Sequence, residues 1–147
     1  MTNQIGTHGL DSNMYQQYRH YLLNHLAENL EINMGKRNFL VFKNNKYINV
    51  QTKNIAFFCV RSELSKIMSF DREEYFVNYS LDQIQYVLSD RQFFRLNRQY
   101  LINFDVVKEV EHYFARKLLV VPVISAKEKL LVPREKVSQF LDWLDNR

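Results

Sequence analysis

The spacing of hydrophobic positions changes near residue 36 and divides the chain into two parts. Before that point, hydrophobic side chains recur every four residues and so share one face of a helix. They are Met14, Tyr18, Leu22, Leu26 and Leu30. Asn13 and its neighbours are N-cap candidates, and Gly35 is a stop signal. The pattern predicts an amphipathic helix or linker over residues 13–36, preceded by a polar leader, residues 1–12, that we expect to be disordered.

From residue 37 onward the hydrophobic runs become short and rich in β-branched and aromatic residues, which is typical of strands. These runs are FLVF, YINV, IAFFCV, KIMSF, EYFVNY, FFRL, KEVEHYF, KLLVVPVI and KLLVP. Turn-like segments at residues 43–45, 70–73 and 125–128 separate some of them. Their spacing of about 8–12 residues indicates an antiparallel, mostly β domain over residues 37–147.

Two short helices interrupt the strands. Ser80 is followed three residues later by Gln83, the pattern of a capping box. Near the end of the chain, Pro133 suits the first turn of a helix. The residues after it place apolar side chains at i, i+3, i+4 and i+7. These are Val137, Phe140, Leu141 and Leu144.

Composition narrows the possible functions. The single cysteine, Cys59, excludes an intrachain disulfide and a cysteine-based metal site, and its apolar neighbours favour a buried, inert thiol. The sequence contains no signal peptide and no apolar run long enough for a membrane span, so we expect a cytoplasmic protein. Residues 1–36 hold two basic and three acidic residues, whereas residues 37–147 hold 18 basic and 13 acidic ones. This excess of positive charge suggests an anionic partner.

Catalytic patterns are missing from the sequence. It has neither HExxH nor GxSxG, and its three glycines are too few for a phosphate-binding loop. Asp71, Glu73 and Glu74 lie together in a charged turn, where no desolvated pocket would tune a general acid. We therefore predict no enzymatic activity, no cofactor, no metal and no small-molecule substrate.

The segment FFRLNRQYLIN (93–103) sets cations and amides into an apolar run. Its apolar residues can anchor it, and a turn near Asn97 would direct Arg98 and Gln99 outward. Arginine bonds guanine edges, asparagine and glutamine bond adenine edges, and all three can hold phosphate. Alternatively, Arg95 is structural and pairs with an acid such as Glu109 or Glu111.

Two other segments have the same character. VRSELSK (60–66) is expected to join two strands and carries Arg61, Ser65 and Lys66. VPREKV (132–137) places Arg134 and Lys136 at a helix start, where exposed backbone N–H groups favour phosphate. Solvated surface charge is the alternative interpretation of this second segment.

Residues from about Arg37 to Asp145 resemble the LytTR DNA-binding domain of LytR/AlgR-type transcriptional regulators. The resemblance is carried by NIAFFCV, by YSLDQIQYVL leading into SDRQFFRLNRQYLIN, and by the ending LLVPREKVSQFLDWLD. That ending looks like the form common in Bacteroidetes response regulators.

The resemblance implies an elongated fold of small antiparallel sheets with short helices, whose loops enter successive major grooves of double-stranded DNA. By position, the candidates for base contacts are Arg98, Arg134 and, in a loop over residues 63–66, Ser65. The resemblance gives other residues the role of phosphate contacts or supports. They are Arg61, Lys66, Arg95, Asn97, Gln99 and Lys136.

The sequence departs from the family pattern in two places. Pro133 stands where the family usually has a serine, and Glu63 puts a negative charge in a loop expected to face DNA. Residues 1–36 are too few for the receiver domain that usually precedes the LytTR domain in two-component systems. We expect a bacterial transcriptional regulator that binds repeated half-sites as a homodimer, with a receiver domain or a membrane regulator as a further partner.

Two other functions fit a basic β domain. One is a protein-interaction module with a basic face and no nucleic-acid role. The other is single-stranded nucleic-acid binding, which would require Phe93 or Phe94 to be exposed for base stacking.

Overall fold

Helix α1 (Ser12–Met34) comes first along the chain, as the four-residue spacing predicts. It ends where Gly35 has a φ of +75°, a left-handed conformation that glycine adopts readily after a helix. The computed structural model describes residues 12–147, without the side chains of residues 24–34. The predicted leader therefore lies outside the described residues, except for Ser12, which belongs to α1. Residues 1–34 and residues 35–147 form two units.

Ten short strands in the second unit pair antiparallel. They are β1 (Asn38–Lys43), β2 (Lys46–Gln51), β3 (Ile55–Arg61), β4 (Leu64–Ser69), β5 (Glu74–Val77), β6 (Phe93–Arg95), β7 (Tyr100–Asn103), β8 (Val107–Tyr113), β9 (Lys117–Pro122) and β10 (Leu130–Val132). They form a β1–β2 hairpin, a five-stranded sheet with order β5-β4-β3-β7-β6, and a three-stranded sheet with order β10-β9-β8. This arrangement confirms the prediction of a mostly β domain built from small antiparallel sheets.

Strand β3 is the centre of the five-stranded sheet, and both of its faces are buried. Phe57 and Cys59 belong to one hydrophobic core, whereas Phe58 belongs to the other. Successive side chains of a strand point to opposite faces. A strand covered on both faces therefore has a continuous apolar run, and IAFFCV is that run.

The β1–β2 hairpin and helix α2 (Leu81–Val87) share the Phe58 core. The Phe39 ring lies 5.3 Å from the Phe58 ring, in an edge-on arrangement. The predicted capping box begins α2: Gln83 N donates to Ser80 Oγ at 3.1 Å, and Ser80 N donates to Gln83 Oε1 at 3.0 Å. Satisfying these donors fixes where α2 begins.

The three-stranded sheet and helix α3 (Val137–Asp145) share the Phe57 core. Phe140 is fully buried, and its ring lies 5.3 Å from that of Phe94. The structure differs from the sequence prediction at the start of this helix. Pro133 is extended, with φ −65° and ψ 153°, and a 3-10 turn (Arg134–Lys136) separates it from α3. Arg134 therefore lies in a turn before the helix.

Candidate nucleic-acid interface

Three connections meet at one end of the five-stranded sheet: the Ser62–Glu63 turn, the loop over residues 96–99, and the turn over residues 133–136. We call them together the basic end. Val60 N, near the end of β3 that leads into the first connection, donates to Gln99 O in the second connection at 3.0 Å. Lys136 Nζ in the third connection donates at 3.0 Å to the carbonyl oxygen of Arg95, the last residue of β6 before the second connection. The structure thus brings the three segments chosen from the sequence into one site.

Arg95 holds the 96–99 loop from inside. Its guanidinium donates to two loop carbonyls, Asn97 O at 2.7 Å and Arg98 O at 3.1 Å. It also bonds Asp82 Oδ1 at 2.8 Å and Gln85 Oε1 at 3.1 Å, both on α2. The prediction that Arg95 pairs with Glu109 or Glu111 is wrong, because these two acids lie on β8 in the three-stranded sheet. Arg95 therefore acts as a support and has little remaining capacity for a phosphate.

Asn97 is also used inside the protein. Its Oδ1 accepts from Gln99 N at 2.8 Å and from Tyr100 N at 3.0 Å, while its Nδ2 donates to Leu131 O at 3.0 Å. An asparagine that bonds the backbone two and three residues ahead stabilises a tight turn. Asn97 thus forms the predicted turn and ties it to β10.

Arg98 and Gln99 project from this fixed turn. Both are exposed. Among the residues that the structure describes, neither side chain has a hydrogen-bond or ion-pair partner. Two polar groups held on a braced loop and left unpaired can bond an external ligand without first breaking internal bonds.

The third connection has the same division of roles. Arg134 is exposed and its guanidinium has no partner in the described part of the chain, whereas Lys136 bonds Arg95 O. Burial lowers the pKa of Lys136, and the nearby Arg95 cation adds to this effect. A cleft of about 490 Å³ lies between the two connections and is lined by Arg98, Pro133 and Glu135 among others.

The first connection is shorter than predicted. It is a two-residue turn, Ser62–Glu63, with φ of 50° and 67°. Ser65 and Lys66 lie in β4, so the prediction of a loop over residues 63–66 is wrong. Ser65 is only 4% exposed, and in this position its hydroxyl cannot meet a base. The Lys66 side chain is 11% exposed and pairs with Glu74 at 3.0 Å, so it too is occupied.

Glu128, between β9 and β10, is an acidic residue beside the basic end that the sequence did not indicate. Its Oε1 lies 3.7 Å from Arg61 Nη2 and accepts from the Tyr100 hydroxyl at 3.2 Å. Burial, assisted by Cys59 and Glu128, raises the pKa of Tyr100 to about 12. Glu128, like Asp82 and Gln85, lies far along the chain from the residue it bonds, and no local pattern marks it.

Other features bear on the alternative functions. Phe93 and Phe94 are buried, so they offer no stacking surface for single-stranded nucleic acid. Burial raises the pKa of the Cys59 thiol, which keeps it protonated and weakly reactive. The described part of the chain contains no helix with the length and apolar character that a membrane crossing needs. The described side chains, which exclude those of residues 24–34, include no cluster of three metal-binding groups.

Comparisons with known proteins identify a family and a similar fold. The model of the LytTr DNA-binding domain family matches residues 45–145. Among solved structures, the chain is similar to one described as the LytTr DNA-binding domain of a methyl-accepting/DNA response regulator from Bacillus cereus. The TM-score is 0.66 at 18% identity, over 75% of this chain and 98% of that chain. No curated protein matches.

Proposed function

The chain belongs to the family of LytTR DNA-binding domains, and from this premise we propose that it binds specific double-stranded DNA sequences as a transcriptional regulator. Arg98 and Arg134 contact the bases, and Gln99 is exposed next to Arg98 on the same loop. The observation that carries the proposal is that these side chains are exposed and unpaired on turns that other side chains hold in place. A braced turn loses little further backbone freedom on binding, and arginine can bond guanine bidentately in the major groove.

We infer different roles for Arg61 and for the other candidate residues. Arg61, half exposed and 3.7 Å from Glu128, is a phosphate contact that leaves its weak ion pair on binding. Arg95, Asn97, Lys66 and Lys136 are supports, since their side chains bond the protein. Phosphate contacts supply affinity without sequence information, whereas base contacts supply specificity.

The test is the discrimination between duplexes. A target is first obtained by selecting bound sequences from random duplexes. Arg98→Ala and Arg134→Ala should each lose about 1–3 kcal/mol of discrimination, each at a different base pair. Arg72→Asn, an exposed arginine in the turn between β4 and β5, is the control and should change nothing. Equal binding of all duplexes by wild type and variants would sink the proposal and favour a protein-interaction module.

We also propose that residues 37–147 are the DNA-binding domain and residues 13–36 a linker or dimerisation helix, in a cytoplasmic regulator of a two-component system. Met14, Tyr18 and Leu22 on α1 are exposed, which suits a helix that pairs with a second copy. Binding to repeated half-sites as a homodimer would follow. Mass measurement of the complex on one and two half-sites tests this.

A further inference from the structure

The tip of the β8–β9 hairpin, residues Tyr113–Lys117, is basic and aromatic. Phe114 is 70% exposed, and Lys117 Nζ lies 5.4 Å from the centre of its ring. Arg116 is exposed, and the nearest acidic residue along β8 is Glu111. The tip therefore presents two cations and a ring with no carboxylate between them.

Strand register places this tip next to the basic end. Leu118 on β9 pairs with Val132 on β10. Lys117 precedes Leu118 and Pro133 follows Val132, so these two residues leave the sheet side by side. Neighbouring strands lie about 4.8 Å apart. Lys117 is therefore about one strand spacing from the turn that carries Arg134. The β8 side of the tip is about two strand spacings from that turn.

The exposed arginines that lack a partner are unevenly distributed over the domain. Between residues 38 and 147, five exposed arginines have guanidinium groups without a hydrogen-bond or ion-pair partner among the described residues: Arg72, Arg91, Arg98, Arg116 and Arg134. Arg98 and Arg134 are at the basic end, and the strand register places Arg116 next to it. Arg72 and Arg91 lie at the opposite end of the five-stranded sheet, beyond β4 and before β6.

We propose that the β8–β9 tip is a further DNA contact, in which Arg116 and Lys117 bind the sugar–phosphate backbone beside the base pairs that Arg134 reads. The proposal rests on the proposed function. The major groove is about 12 Å wide, so its phosphate walls lie about 6 Å from a side chain at its centre. Residues one or two strand spacings from Arg134 are at the right distance to meet such a wall.

The test replaces the two cations by uncharged polar residues. Arg116 has a φ of 61°, and asparagine tolerates this conformation, so the variant is Arg116→Asn with Lys117→Gln. The matched control is Arg72→Asn with Arg91→Gln, since Arg72 has a φ of 73°. Both double variants remove two positive charges. Thermal unfolding shows whether each is folded.

Binding is measured by fluorescence anisotropy against the selected duplex and an unrelated one, at several salt concentrations. Each phosphate contact contributes about 0.9 to the slope of log affinity against log salt. The tip variant should therefore lose about 1.8 from this slope. It should bind both duplexes roughly 30-fold more weakly at 0.15 M salt, so the ratio of the affinities for the selected and the unrelated duplex should not change. The control should follow wild type.

Each outcome decides the matter. If the tip variant binds like the control, the tip is not a DNA contact, although the proposed function stands; a partner protein would be the better candidate for this surface. A changed ratio between the two duplexes would mean base reading and would overturn the backbone assignment. If wild type itself does not distinguish the duplexes, the proposed function fails and this inference fails with it.

Discussion

Replacing Arg95 by alanine separates a support from a phosphate contact. In the structure the Arg95 guanidinium makes four hydrogen bonds within the protein, two to carbonyls of the 96–99 loop and two to α2. Its side chain is only 16% exposed. We expect Arg95→Ala to weaken specific DNA binding although the residue does not touch DNA, because the loop that carries Arg98 loses its support.

The expected magnitude follows from the four bonds. The Asp82 carboxylate is 88% exposed, so the ion pair contributes at most about 1 kcal/mol. A hydrogen bond from a charged donor contributes about 1.5–3 kcal/mol, but the loop carbonyls regain water when it is lost. A loss of about 2–3 kcal/mol is reasonable. If DNA must restore the loop conformation, affinity falls about 30- to 150-fold.

Salt dependence provides the decisive assay. A support contributes no phosphate contact, so Arg95→Ala should leave the slope of log affinity against log salt at the wild-type value. Asp82→Asn removes the carboxylate charge and keeps an acceptor, so it should weaken binding less than about fivefold. A slope reduced by about 0.9 in Arg95→Ala would mean that Arg95 contacts a phosphate, and the assignment of Arg95 as a support would be wrong.

Three other changes follow from the basic end. Glu128→Gln should tighten binding to any duplex a few-fold by releasing Arg61 from its 3.7 Å ion pair; unchanged anisotropy curves would contradict this. Ser62→Asn with Glu63→Gly should raise the free energy of unfolding in urea by about 1–2 kcal/mol, because both turn residues have positive φ; equal midpoints would refute it. The pKa of Tyr100 is about 12 against an ordinary value near 10. Between those pH values the unfolded phenol ionises first, so wild type should lose about 2–3 kcal/mol of stability as pH rises. Tyr100→Phe should not show this loss. Parallel curves of unfolding free energy against pH for wild type and Tyr100→Phe would exclude the raised pKa of Tyr100.

Much of the fold could be predicted because its determinants are local. Short runs rich in β-branched and aromatic residues marked most of the strands, and the Ser80–Gln83 capping box marked the start of α2. Tyr100–Asn103 is strand β7, which the sequence showed only as a resumed apolar run after a turn. The sequence did not indicate that β3 ends and β4 begins on either side of Ser62–Glu63. This turn contains neither glycine nor asparagine, the residues that announce a two-residue hairpin, and so Ser65 and Lys66 were expected in a loop.

The family resemblance separated Arg98 and Arg134 from Arg95 and Lys136, but the internal bonds of the supports could not be predicted, because they depend on neighbours that folding brings from elsewhere. Arg95 and Arg98 are three residues apart in one segment, yet only Arg95 reaches α2 and the loop carbonyls. Arg134 and Lys136 are two apart, yet only Lys136 reaches Arg95 O. In both pairs the cation bonded to the protein fixes the turn from which the unpaired one projects. In these two segments the cations are therefore not equivalent: one is bonded to the protein, and the other is left available for an external ligand.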